Sequence, residues 1–319
     1  MSETRGAPVI IDTDPGLDDA LALFLAFRSP ELDVRGVVTV AGNIGIDHTT
    51  RNARALLRVA GREDVPVVRG AARPFAREPF HAPGIHGEDG LGGIDVPEPR
   101  APEHPAAALD WLADEIDSHP AGAVRILALG PLTNVARLIV ERPEQARLIG
   151  GVVAMGGAVR DRGNVTPHAE FNIAADPEAA AVVLASGVPV TLVPLDVTRQ
   201  VAADEAWAER LAARGGALAA LTRQLHGAYL DNIAALRASL GVAEAERRPH
   251  AFPLHDPCVI LHAVRPELFH PERLRLRVVR DRSERDGATV IDPAGDAADV
   301  LTGADAPAAL AFVADRLAG

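Results

Sequence analysis

Residues 9–23 read VIIDTDPGLDDALAL. An apolar, β-branched run leads into Asp12 and Asp14, a Pro-Gly pair turns the chain, and Asp18 and Asp19 open a second apolar run of helical character. The reading is strand, tight turn, helix. Asp12 and Asp14 are two apart at a strand end and project to the same side. Asp18 and Asp19 sit where the helix macrodipole favours negative charge. Capping and solvation account for one or two such acids but not for four. Two carboxylates ~4 Å apart repel by roughly 4 kcal/mol at an effective dielectric of 20. A bound cation resolves the conflict. An all-oxygen set points to a hard ion, Ca²⁺ or Mg²⁺, and a site mixing carboxylates with carbonyls and water suits Ca²⁺ better. The spacing is not that of an EF-hand, because the later bidentate Glu is missing.

Outward from this stretch, short β-branched runs alternate with helical patterns. Expected strands are Val9–Ile11, Val34–Val40, Val65–Val68, Val124–Leu129, Gly151–Met155 and Val188–Pro194. Expected helices are Asp18–Arg28, one capped by Asp47 and ending at Gly61, Pro105–Ser118, Thr133–Glu141, and one capped by Asp176 with Pro177 in its first turn. The alternation predicts an α/β fold: a mainly parallel open sheet with helices on both faces, Rossmann-like, its active site at the strand C-terminal ends. Residues 203–250 read as mostly helical, a candidate mobile lid. Ala288–Ile291 is expected to pair as a hairpin strand. No repeat, linker or composition shift divides the chain, so one domain over 1–319 is expected. Polar groups follow five strand ends: Asp12 and Asp14, Asn43, the segment Leu129–Asn134, the MGG at 155–157, and Asp196. In open parallel sheets, ligands bind outside those ends.

Composition narrows the function. The 319 residues are 48% apolar and carry a formal net charge of −12; all 32 basic residues are Arg. An acidic chain without a basic run argues against nucleic acid and anionic membranes as partners. Aromatics make up only 3%, too few for a single-strand stacking platform. The single Cys258 excludes an internal disulfide and a Cys-based zinc cluster. No signal pattern or bilayer-length apolar run is present, and a cytoplasmic protein is expected.

Seven segments then occur in order: DTDPGLDDALAL (12–23), VAGN (40–43), LGPLTNVA (129–136), MGG (155–157), GNVTPHAEFN (163–172), PLDVT (194–198) and LHDPC (254–258). Together they resemble the inosine/uridine-type nucleoside hydrolases, over roughly Val9 to Cys258. The resemblance implies Ca²⁺-dependent hydrolysis of the N-glycosidic bond of ribonucleosides in nucleoside salvage, and a homodimer or homotetramer. It implies Asp14, Asp19, Asp256 and the Leu129 carbonyl as metal ligands. Asp14 is similar to the acid that also takes a proton from the attacking water, and His255 to the group that protonates the departing base. Asp18 would accept from the ribose 2′-hydroxyl, Asn43 would hold water or ribose, Asn164 and Glu170 the 5′-hydroxyl, and Asn172 the ring hydroxyls. An extended Glu170-Phe171-Asn172 would put the two polar groups on one side and the ring on the other. His86 resembles a second cleft histidine. Met155, Phe171, Tyr229, His81 and the region of His226 would bound the substrate; Asp12 would act in support. Purine or pyrimidine preference does not follow.

Two other readings start from the same residues. An apolar strand ending in D-x-D also begins haloacid-dehalogenase-type phosphatases, but Gly16 stands where that family prefers Thr or Val, and no Lys is available for its phosphate site. A non-catalytic nucleoside or ribose binder would use the same scaffold without needing Asp14 and His255. A Cys258–His255 dyad is allowed by spacing, although a small buried apolar role suits Cys258 better.

Overall fold

The computed structural model describes residues 6–318. Nine strands form one sheet: β1 (Ala7–Thr13), β2 (Leu32–Thr39), β3 (Val67–Arg69), β4 (Arg125–Ala128), β5 (Gly151–Met155), β6 (Val190–Val193), β9 (Phe269–Val278), β10 (Thr289–Ile291) and β11 (Asp296–Ala304). Two short strands, β7 (Ala202–Asp204) and β8 (Ala251–Pro253), pair antiparallel in a ribbon of their own. The main sheet runs β10-β9-β11-β6-β5-β4-β1-β2-β3. Every pairing from β3 across to β11 is parallel; only β9 runs antiparallel, to β11 and to β10. The expected hairpin strand at the end of the chain is therefore present.

Period-two alternation sorts the strands onto two cores. Val9, Ile11, Leu127 and Val153 face a layer that includes helices Leu17–Phe27, Ile46–Ala60 and Pro257–Val264. Ile10, Ile126, Val152 and Leu192 face helices Ala108–Asp117, Thr133–Glu141 and Pro177–Ala185. Both faces are covered, as a parallel sheet requires.

The topology fixes where a ligand can enter. From β1 the chain builds outward through β2 and β3, then returns to the other side of β1 as β4. The order reverses between β1 and β4, and a crevice opens outside their carboxyl ends at such a switch point. Asp12 lies near the end of β1, Asp14, Asp18 and Asp19 follow it, and Leu129 follows β4.

Several local expectations differ from the outcome. Gly45, not Asp47, caps helix Ile46–Ala60, and Asp47 lies in its first turn paired with Arg69. The stretch 203–250 is mostly helical, as expected, but not in one piece: it opens in β7 and carries helices Glu205–Ala213, Ala217–Ser239 and Glu244–Arg247, the first two separated by Gly215 and Gly216, both at positive φ. Glu170 is extended, but Phe171 and Asn172 turn into a helix instead of continuing the strand. Glu170 is the N-cap of the short helix Phe171–Ala175, because its carboxylate finds the free amides of Asn172 and Ile173.

Candidate active site

A cavity of about 610 Å³ opens over the carboxyl ends of the strands. Its wall includes Asp18, Asn43, His86, Leu129, Met155, Asn164, Glu170, Phe171, Asn172, Tyr229, His255 and Asp256. Segments almost 240 residues apart in sequence thus meet at one place. Asp12, Asp14 and Asp19 lie buried beside it.

The turn after β1 is held by its own polar groups. Asp19 accepts the Gly16 amide at 2.9 Å, the Thr13 hydroxyl, and Nδ2 of Asn43 at 3.2 Å. Asp14 accepts the Asn43 amide at 2.7 Å. Its carboxylate is closely confined: a Cβ at Gly42 would stand 2.1 Å from one of its oxygens, and a Cβ at Gly130 2.2 Å from the other. Only glycine at both positions lets the second and fourth strand ends close on this acid. Asp12 accepts Nδ2 of Asn134 at 2.8 Å, and its other oxygen has no hydrogen-bond partner among the described residues.

Oxygens of Asp18, Asp19 and Asp256 lie within 4.8 Å of one another. Burial, reinforced by Asp19, lifts Asp18 to about 7. Burial and the neighbouring aspartates hold Asp14 and Asp256 well above the usual carboxylate range. Among the described residues, no basic side chain stands among the main groups that set the charge of these three. A hard divalent cation fits this donor set: buried, all-oxygen, crowded and without a counter-charge. Asp14 does not belong to the converging trio; it stands close enough to Asp18 and Asp19 to feel their charge.

The remaining groups divide by position. Asn172 donates Nδ2 to the Leu129 carbonyl at 2.6 Å and to the Met155 carbonyl at 3.2 Å, so it ties the ends of β4 and β5 together. Glu170 also accepts the Gly157 amide at 2.9 Å; burial raises its pKa, and its amide partners oppose the rise. His255 and His86 both border the cavity. Burial holds His86 at about 4, and burial with Arg199 nearby holds His255 at about 3, so both rings are neutral near pH 7. Nδ1 of His86 receives the Leu17 amide at 3.1 Å, and Nδ1 of His255 lies 2.7 Å from Thr198 Oγ1. On the apolar wall Phe80 packs edge-on against Phe171, and Tyr229 stacks on Phe252.

Two expectations fall outside the cavity. Asp196 turns away and accepts the amides of Val159 and Arg160. His226 is buried, with Nε2 bonded to the Ala203 carbonyl. Cys258 has the buried apolar role expected of it: it is wholly buried and burial pushes its thiol up, so it forms no nucleophilic dyad. Conversely, Thr13, Thr198, Arg199 and Phe80 belong to the site or its support without having been singled out. Thr198 lay within the PLDVT segment, but a threonine carries no signal of its partner in sequence.

A carboxylate cluster at the switch point of a parallel sheet meets three imidazoles and a cavity of about 610 Å³, the arrangement of a small-molecule enzyme site. Residues 9–311 match the family model described as inosine-uridine preferring nucleoside hydrolase. A pyrimidine-specific ribonucleoside hydrolase, RihA, of Citrobacter koseri is 40% identical over 285 residues, covering 89% of this chain and 88% of the relative. The solved plant nucleoside hydrolase PpNRh1 superposes with a TM-score of 0.88 at 32% identity, covering 98% of this chain and 99% of that one. A purine-preferring ribonucleoside hydrolase of Gardnerella vaginalis gives 0.87 at 28% identity, covering 98% of each. The chain belongs to the inosine-uridine preferring nucleoside hydrolase family. Its activity is that of a nucleoside hydrolase, which sets aside the phosphatase and non-catalytic readings.

Proposed function

We propose that this protein is a Ca²⁺-dependent ribonucleoside hydrolase of nucleoside salvage, acting in the cytoplasm as a homodimer or homotetramer, with pyrimidine ribonucleosides as its preferred substrates. The observation that carries the reading is the convergence of Asp18, Asp19 and Asp256 in the same cavity as His255. The pyrimidine preference is supported by the name of the RihA relative at 40% identity.

Asp14, Asp19, Asp256 and the Leu129 carbonyl would hold the ion, with Asp18 close by. When bound, such an ion would offset the charge of the crowded acids and supply Lewis acidity to oxygens in the cavity. Asp14 takes the proton of the attacking water. Asp18 accepts from the 2′-hydroxyl, Asn43 and Asn172 orient water and ribose, and Glu170 with Asn164 receives the 5′-hydroxyl. Fixing the sugar at several points aligns C1′ for attack. The buried carboxylates stabilise the positive charge that builds on the ring as the glycosidic bond stretches. His255 serves the departing base, with His86 beside it; Met155, Phe171 and Tyr229 bound the substrate. Water oxygen bonds to C1′, the C1′–N bond breaks, and its electron pair leaves with the base.

Release of ribose from uridine, cytidine, inosine, adenosine and guanosine, with Ca²⁺ and after chelation, tests the proposal. Ca²⁺-dependent release with uridine or cytidine fastest is expected. Purines cleaved faster would overturn the preference, and no release from any of the five would overturn the function. Sedimentation of the purified protein tests the oligomer; a monomer contradicts it.

A further inference from the structure

We infer that Thr198 is a positioning residue for the reaction: its hydroxyl, bonded to Nδ1 of His255, makes Nε2–H the hydrogen that this ring presents to the departing base. The inference rests on the proposal above that His255 serves the leaving group.

Three imidazoles border the cavity; His81 donates Nδ1–H to the Gly42 carbonyl at 2.7 Å, whereas His86 and His255 each take a hydrogen bond on Nδ1. In His86 that nitrogen receives the Leu17 backbone N–H at 3.1 Å. A backbone amide can only donate, so Nδ1 is bare and the neutral ring carries its hydrogen on Nε2. In His255, Nδ1 lies 2.7 Å from Thr198 Oγ1, and a hydroxyl can play either part. Burial decides between them. Thr198 is 0% exposed, and its oxygen makes no other hydrogen bond among the described residues. Were Nδ1–H to donate to the hydroxyl, the hydroxyl hydrogen would be buried without an acceptor, at a cost of about 1–3 kcal/mol. The hydroxyl therefore donates to Nδ1, and the hydrogen of the neutral His255 ring resides on Nε2. That nitrogen has no protein partner among the described residues, and the ring borders the cavity.

The chemistry balances without charging the ring. The C1′–N bond breaks and its pair goes to the base nitrogen, while water oxygen bonds to C1′ and a water proton passes to Asp14. The base leaves as an anion stabilised by the Nε2–H donor and takes its proton from solvent; Asp14 returns its proton to solvent. With the other tautomer, Nε2 would present a lone pair to the same anion and repel it.

The test compares leaving groups. Uridine needs a donor at its departing nitrogen; p-nitrophenyl β-D-ribofuranoside releases a stable phenolate and does not. Thr198→Val should lower kcat on uridine roughly 10- to 100-fold, with KM and the turnover of the nitrophenyl riboside changed little. Thr198→Ser, which keeps the hydroxyl, should restore most of the uridine activity. Placed in a His255→Ala background, Thr198→Val should add no further loss. Equal losses on both substrates, a Ser variant as impaired as the Val variant, or a further loss without His255 would each overturn the assignment. If Thr198→Val does not fold, Thr198→Ala is measured against Thr198→Ser on the same two substrates. Wild-type protein inactive on uridine and on every other nucleoside would instead refute the proposed function itself.

Discussion

At the scale of single residues, chemistry here follows from burial that backbone and hydroxyl donors direct. His255 and His86 are kept neutral by desolvation, and the groups at their Nδ1 atoms settle which face of each ring meets the cavity. If His255 serves the leaving base, His255→Ala should lower kcat on uridine by ~10²–10³-fold, the loss typical of one donor to developing charge, and leave KM within a few-fold. Steady-state kinetics check this, and near-wild-type kcat on uridine would contradict it. Much at this scale was legible in the sequence. Four aspartates within eight positions cannot be explained by capping alone, and the structure gathers three carboxylates around one point. What was not legible is the identity of neighbours. Asn172 was expected on an extended edge with Glu170; it instead bonds the Leu129 carbonyl while Glu170 caps the turn that carries it. Period-two reasoning does not register a cap, because the signal is one side chain finding amides two and three residues on.

At the scale of elements, the site depends on loops fastened to the sheet by buried acids. Asp176 shows the pattern: it caps helix Pro177–Ala185 through the Ala179 amide at 3.0 Å, accepts the Thr133 hydroxyl at 2.7 Å, and accepts the Phe75 amide at 2.7 Å. One carboxylate thus joins two helices and the loop that brings Phe80 and His81 to the cavity. Asp176→Ala should destabilise the protein by roughly 2–4 kcal/mol, since a cap and two hydrogen bonds to a charged group are lost together. Denaturant unfolding measures this, and a change below about 0.5 kcal/mol, the size of a neutral surface substitution, would contradict it. The cap itself was readable, as Asp-Pro-Glu before an apolar run. Its two tertiary partners were not, because nothing local in the sequence points from Asp176 to Thr133 or Phe75. The six expected strands of the parallel region all formed, because buried parallel strands are continuous apolar runs. The break at Gly215–Gly216 escaped the helical reading because apolar points on either side keep the same spacing.

For the whole molecule, the order of strands places the acids at the switch point, and their mutual repulsion links metal, protons and stability. Burial lifts Asp12 and Asp18 to about 7, whereas an unfolded aspartate titrates near ~3.9. Between about pH 4 and 7 the metal-free native state therefore holds protons that the unfolded state has released, and these groups cost stability as the pH rises. The buried neutral histidines act oppositely below pH ~6.5, but they do so with or without metal. The rise in Tm on adding saturating Ca²⁺ should accordingly grow from pH 5 to pH 8, as the ion stops competing with protons. Paired melts across that range check this; a metal-induced shift that is constant or shrinks with pH would contradict it. We also propose that the chain is one folding unit, so that each melt should be a single transition. The architecture was readable from strand–helix alternation; the sheet order was not, since pairing between strands distant in sequence leaves no local trace.

We propose that the crowded carboxylates serve a cation without which the sugar cannot be held for attack. The most direct measurement is ribose release from uridine by protein stripped with a chelator and then titrated with Ca²⁺. No turnover in the stripped protein and saturable recovery as the ion is restored are expected. Full turnover by the stripped protein, unchanged by added Ca²⁺, would contradict the proposal.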